Sequence, residues 1–494
     1  MSADKNIALE ETFKLAIKNH QENKLDVAQN LYNQVLKIDP SHAHTLNNLG
    51  VLFKDNGEYQ KAKNYCEKAI EIAPKHADAH NNLGIVLHQL QMNEKAKICF
   101  EKAIEINPNN VNAHYNLGLI FQGFNEYQKA KDCYEKAIEI DPDYATAHNN
   151  LGIIFQTSSE YQKAKICYEK AIEINPNYAD AFFNLGAVLN ELGELKKTID
   201  CYQKAVALMP QHQDSHYNLG VVLYATTQYK NAAEQFKLTD FKNSKSFLLS
   251  CLYNLDNKSN FFKELDDQIK QGETNAMIGS LSSRSEIKYG ITKPNPFCAD
   301  PLKYSLKIDL TEQYDFKNIF IDPIRDALNE GIFFTRKQDL LKNGEQTVGN
   351  LFAEKNNFLG KIKDIIHLEI DRYRIHFKES KEGLIKSWPK SYNINGWLVS
   401  MKNGGKLAPH MHDYGWLSGS VYINVPQNLK ADSGNLVLCI DNQESEVEKN
   451  INPKKIIDVV TGSLCLFPSS LYHYTIPFDS KEDRIVLAFD MMPN

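Results

Sequence analysis

The chain has 494 residues, too many for one ordinary domain, so two or three are expected. With 56 basic against 62 acidic residues its net charge is −6, which gives no electrostatic footprint for nucleic acid. No apolar run is long enough to span a membrane, and the polar start Met1-Ser2-Ala3-Asp4-Lys5 lacks the apolar stretch of a secretory signal. Nine scattered cysteines without a CxxC pair fit a reduced, cytoplasmic protein.

Residues 9–246 are internally repeated. Gly50, Gly84, Gly118, Gly152, Gly186 and Gly220 fall 34 residues apart, as do Pro40, Pro74, Pro108, Pro142, Pro176 and Pro210. Ala62, Ala96, Ala130, Ala164 and Ala232 keep a third register, with Thr198 standing in once. The small residues let two helices approach closely, and the proline ends one repeat before the next helix begins. This is the tetratricopeptide period, and it predicts an all-α superhelical solenoid of about seven repeats, the first one worn. Asn48, Asn82, Asn116, Asn150, Asn184 and Asn218 also recur every 34 residues, each just before Leu-Gly. An amide donates and accepts at once, so such a ladder suits an extended peptide main chain. The alternative is that these asparagines bond between neighbouring repeats.

Residues 247–290 keep helical period without the repeat signature and predict a closing pair of capping helices. Ile291-Thr292-Lys293-Pro294-Asn295-Pro296 reads as a boundary. Within 291–494, helices are expected over 323–330 and 357–379. Short apolar runs follow, punctuated by glycine and proline: 397–401, 417–426, 435–440, 463–467 and 484–489. That punctuation predicts a double-sheet jelly roll with flanking helices.

His410 and His412 are two apart, so on a strand both rings point to one face. Pro477-Phe478-Asp479-Ser480 predicts a hairpin that sets His473 opposite Arg484 on neighbouring strands. Two or three imidazoles would then hold a transition metal with open positions, beside a guanidinium able to clamp an anion. Asp413 is the alternative to His412 for the third ligand, reaching the site only if a bulge re-aims it.

His410-Met411-His412, Ser418-Gly419, Tyr422-Ile423-Asn424, Gly462, Phe467-Pro468-Ser469, His473 and Arg484 together resemble the double-stranded β-helix (cupin-like) domain of Fe(II)/2-oxoglutarate-dependent oxygenases. The departure is residue 412, histidine where the wider superfamily carries aspartate. The resemblance implies iron held by His410, His473 and His412 (or Asp413), with Arg484 gripping the distal carboxylate of 2-oxoglutarate. Tyr422 and Ser418 are further candidates to hold that co-substrate, or else fill the roll. The reaction implied is a dioxygenase hydroxylation coupled to 2-oxoglutarate decarboxylation. The asparagine ladder, which resembles that of peptide-holding tetratricopeptide arrays, implies a protein or peptide partner. Two other readings stay open: a non-catalytic scaffold with a degenerate oxygenase fold, and an oxygenase acting on a small molecule. No nucleic acid or membrane partner is expected.

Overall fold

The computed structural model of the chain describes residues 3–338, 340–353, 357–427, 429–430, 432–441 and 452–494. It divides into two compact units, Met1–Val222 and Leu223–Asn494.

The first unit is a helical solenoid. Its repeats pair a helix of 13 residues with one of 14, as in Ala77–Gln89 with Asn93–Ile106 and Val111–Gly123 with Tyr127–Ile140. The worn first copy folds the same way, over Ala3–Gln21 and Leu25–Ile38, with Ala16 and Ala28 fully buried. The repeated glycine has a steric cause. A Cβ on Gly118 would sit 2.6 Å from the Tyr134 ring, and one on Gly50 would lie 2.4 Å from Cys66 Sγ, so only a bare Cα fits.

In the second unit the helix Tyr229–Phe236 is followed by three more, Ser244–Asn254, Lys258–Gln271 and Ala276–Tyr289, before the sheets; over 247–290 the sequence suggested a pair. The 291–298 stretch is packed rather than loose. Phe297 is fully buried, and a Cβ on Gly279 of the helix Ala276–Tyr289 would lie 2.7 Å from it. Asn295 fixes the stretch by donating to the Gly279 carbonyl at 2.8 Å and accepting from the Phe297 amide at 3.0 Å.

Ten strands follow: β1 Leu306–Asp309, β2 Thr335–Arg336, β3 Leu341–Thr347, β4 Tyr392–Leu407, β5 Leu417–Asn424, β6 Leu436–Cys439, β7 Lys454–Ile457, β8 Ser463–Pro468, β9 Tyr472–Thr475 and β10 Arg484–Pro493. A seven-stranded antiparallel sheet runs β1-β8-β5-β10-β4-β3-β2, and a three-stranded one runs β7-β6-β9. Alternation along the strands separates two cores. Leu464, Leu466, Leu487 and Phe489 face the helix Asn357–His376 through Ile362, Ile366 and Ile370. Cys465, Phe467, Tyr422 and Val486 face inward, towards Leu436 and Leu438 of the smaller sheet. The architecture is the expected one, a tetratricopeptide-type solenoid followed by a jelly-roll sandwich. The hairpin is not: β9 pairs with β6, placing His473 beside Leu438, while Arg484 at the start of β10 pairs with Met401 of β4. Phe478 explains the difference. It is buried against Leu341, Val399 and Met401, so the segment crosses between the sheets instead of turning back.

Candidate metal centre and anion pocket

His410, His412 and His473 come together with one nitrogen from each ring within 4.8 Å of the others, a group able to hold a metal ion. Their supports differ from the single strand that the spacing suggested. β4 ends at Leu407, and His410 lies beyond it, exchanging main-chain bonds with His473: its amide donates to the His473 carbonyl at 3.2 Å and its carbonyl accepts from the His473 amide at 2.8 Å. His412 sits in the following loop, its ring edge-on to His473 at 4.9 Å.

Each ring has its own second contact. His410 Nδ1 lies 2.9 Å from the Ala408 carbonyl and His412 Nδ1 lies 2.6 Å from Asp490 Oδ1. These contacts leave the Nε2 of both rings for a ligand role. His473 Nδ1 is buried with no hydrogen-bond partner, which is costly for a polar nitrogen unless something electrophilic meets it. Burial, then the neighbouring His412, pushes His410 down to about 4, and burial with His410 and His412 holds His473 well below the usual imidazole range. Burial also opposes charge on His412, yet the carboxylate of Asp490 outweighs it and raises its pKa. Two neutral imidazoles and one backed by a carboxylate make a nitrogen donor set that suits a divalent transition metal.

Asp490 is the residue that the sequence reading missed. It is buried on β10, accepts from Ser418 Oγ at 2.7 Å as well as meeting His412, and Ser418 in turn lies 2.8 Å from Ser469 Oγ. Its signal was there to be found: an acid inside the otherwise apolar run Ile485–Met492. Ser418 therefore stands beside the histidines, as a link to Asp490. Asp413 is not among the residues that line the cavity, and burial raises its carboxyl to about 6.

The three histidines open onto a cavity of about 250 Å³ that Arg484, Tyr422, Trp397 and Gln346 also line. Arg484 is 1 % exposed. Its Nε donates to the Gly434 carbonyl at 3.1 Å and its guanidinium lies over the Tyr422 ring at 5.0 Å. No carboxylate pairs with it among the described residues. The Tyr422 hydroxyl is buried beside Arg484 and Ser420, with no hydrogen bond of ordinary geometry. Burial lowers the Arg484 pKa below its ordinary value, but a guanidinium keeps its charge in a protein. A buried cation and a buried hydroxyl, both facing a cavity, form a receptor for an anion.

The asparagine ladder is engaged within the array. Asn82 donates to Asn47 at 2.9 Å, Asn116 to Asn81 at 3.0 Å, Asn184 to Asn149 at 3.0 Å and Asn150 to the Tyr115 hydroxyl at 3.2 Å. Each bond runs back to the preceding repeat. Asn48 accepts from Asn47 at 3.5 Å, and Asn218 sits at the same repeat position beside the buried Tyr202.

Comparison with known proteins gives matches to two segments of the chain. Residues 395–490 match the family described as "Putative 2OG-Fe(II) oxygenase". Tetratricopeptide repeat families match residues 41–109, 111–144, 145–178, 167–200 and 188–226. Solved structures that resemble the chain include pilF of Pseudomonas aeruginosa (23 % identity, 40 % of this chain and 91 % of that one, TM-score 0.36). MamA (28 %, 33 % and 96 %, TM-score 0.30) and YrrB, described as a TPR protein with an unusual peptide-binding site (22 %, 40 % and 97 %, TM-score 0.33), are others. No curated protein matches the chain. No helix among the described residues is long and apolar enough to cross a membrane.

Proposed function

We propose that this chain, in which tetratricopeptide repeats precede a 2OG-Fe(II) oxygenase domain, is an Fe(II)- and 2-oxoglutarate-dependent hydroxylase acting on a protein or peptide. The observation that carries the proposal is one cavity lined both by three clustered histidines and by a buried arginine that no carboxylate among the described residues meets. His410, His412 and His473 would hold the iron, and the orphaned nitrogen of His473 supports that fit. When bound there, iron supplies dioxygen activation coupled to the oxidative decarboxylation of 2-oxoglutarate.

The chain's own residues do the rest. Arg484 and the Tyr422 hydroxyl receive the distal carboxylate, the guanidinium as a planar two-point donor. Asp490 fixes the orientation of the His412 ring, and Ser418 holds Asp490. The apolar walls around Trp397, Val399 and Val486 limit water at the reacting atoms. The metal loop thus takes its third ligand from His412, with the carboxylate moved one bond outward to Asp490. All nine cysteines are free, which favours a reducing, cytoplasmic setting.

A second reading draws on the asparagines: because their amides bond to the preceding repeat, the solenoid serves assembly and the substrate is a small molecule. Anaerobic titration of the full chain with Fe(II) and 2-oxoglutarate, followed by succinate release, tests the enzyme. Iron-free purification with no 2-oxoglutarate binding would leave a scaffold.

A further inference from the structure

Four exposed apolar side chains flank β2 and β3: Ile332, Phe334, Leu340 and Val348, with Phe334 85 % exposed. Their placement follows from strand register. β2 pairs with β3 through Thr335↔Thr347 and Arg336↔Gln346, and the Val348 amide donates to the Phe334 carbonyl at 2.9 Å. Cross-strand partners and residues two apart share a face, so Phe334, Arg336, Gln346 and Val348 lie on one side of the sheet. That side is the inner one, because Gln346 and its β4 partner Val399 both line the cavity. Carried two residues further, the same register sets Val348 beside Trp397, whose ring meets His412 at 5.4 Å. An apolar line therefore runs from the histidines through Trp397 and Val348 to Phe334 at the sheet's last strand. Leu340 joins it, lining the cavity while 44 % exposed.

We infer that this line is the docking strip for the substrate polypeptide, which seats an apolar side chain against Phe334 and Val348 while a neighbouring residue enters the cavity. The inference rests on the proposed hydroxylase reading and adds a sequence preference to it. Four side chains are too few for the roughly 800 Å² per partner of a stable dimer. The continuity of the strip with the cavity instead suits one chain that passes from one to the other. Two strand spacings of about 4.8 Å separate Trp397 from Phe334, and an extended chain advances about 3.3 Å per residue. With the further 5.4 Å from Trp397 to His412, the apolar anchor lies about four to five residues from the residue that is oxidised.

The test uses a random library of displayed peptides about twelve residues long, roughly 40 Å when extended, panned on the full chain without added metal. Enriched peptides are expected to share an apolar residue. Their affinity should fall on the order of tenfold or more for the Phe334→Asp, Val348→Ser double variant, as loss of one buried apolar side chain implies. Phe334→Leu should retain binding, Ile375→Asp, at an exposed apolar residue on the helix Asn357–His376 and outside the cavity lining, should bind the peptides as wild type does, and melting temperatures should confirm that each variant folds. Equal affinity for wild type and the double variant overturns the inference, as does a library that yields no binder. Peptides that dock on the strip of a chain unable to bind iron or 2-oxoglutarate would instead sink the hydroxylase reading and leave the strip standing.

Discussion

Asp490 Oδ1 lies 2.6 Å from His412 Nδ1, so the carboxylate missing from the loop reaches the histidine cluster from a different strand. A carboxylate behind an imidazole fixes the ring and raises its basicity. Asp490→Asn should therefore weaken metal binding by about 10- to 100-fold while the fold persists. Titration with Co(II), followed by its visible absorption, reads both affinity and ligand field. The same affinity and the same spectrum in the variant would reduce Asp490 to packing.

Removing a ligand is a harsher change. His410→Ala and His473→Ala should each abolish Fe(II) binding, whereas His412→Asp should retain it. Asp413→Asn should leave it unchanged, because Asp413 does not line the cavity. Metal content after anaerobic loading decides this. Loss of iron in Asp413→Asn alone would place the third ligand one residue later.

Arg484→Ala should leave iron binding intact and cut 2-oxoglutarate affinity by about 2–5 kcal/mol, the cost of breaking a buried charge pair. Arg484→Lys should recover only part of it, since an ammonium cannot reproduce the planar fork. Calorimetry of 2-oxoglutarate on Zn(II)-loaded protein measures both. Wild-type affinity in Arg484→Ala would mean that the carboxylate is held elsewhere.

Truncation should distinguish two starting points. A fragment from residue 223 keeps the three helices before the sheets, and a fragment from 291 loses them. Arg284 on the third of these donates from Nε to Asp441 at 3.1 Å, with both side chains buried. Breaking that buried pair costs about 3–5 kcal/mol. Phe297, which meets Trp416 edge-on at 5.0 Å just beyond the metal loop, would also lose its cover. The longer fragment should melt cooperatively and bind iron; the shorter should do neither. A well-folded 291–494 fragment would show that the helices are dispensable.

The triple change Asn116→Ala, Asn150→Ala and Asn184→Ala should lower the solenoid's stability. Three inter-repeat hydrogen bonds at about 0.5–1.5 kcal/mol each are at stake. Urea unfolding followed by circular dichroism measures the loss. An unchanged midpoint would free the asparagines for a bound peptide.

How far the sequence could be read depended on whether a local pattern had one physical cause. The 34-residue period was legible because Gly50, Gly84, Gly118, Gly152 and Gly186 each answer to one aromatic or cysteine of their own repeat, as Gly118 does to Tyr134. The burial of Arg484 was legible because it opens an apolar run, Ile485–Phe489. Sheet membership was not: Phe478 looks like a turn residue until the core between Val399 and Met401 is seen to need it. β2 and β3 escaped because their polar stretch, Leu341-Lys342-Asn343-Gly344-Glu345-Gln346-Thr347, has no apolar period to betray it. Asp490 escaped for the opposite reason, since an apolar strand offers no hint of which distant imidazole it will meet.

The paired main-chain bonds between His410 and His473 carry one more consequence. They fasten a loop residue to a strand residue before any ion arrives, so the pocket does not have to be gathered around its metal. Such a site forfeits little ordering entropy on loading. Its capture step is then governed by access through the cavity mouth, and its release by how seldom that bridge opens. An ion once seated there should exchange slowly, with a residence time set by local opening of the bridge rather than by the strength of any single nitrogen ligand.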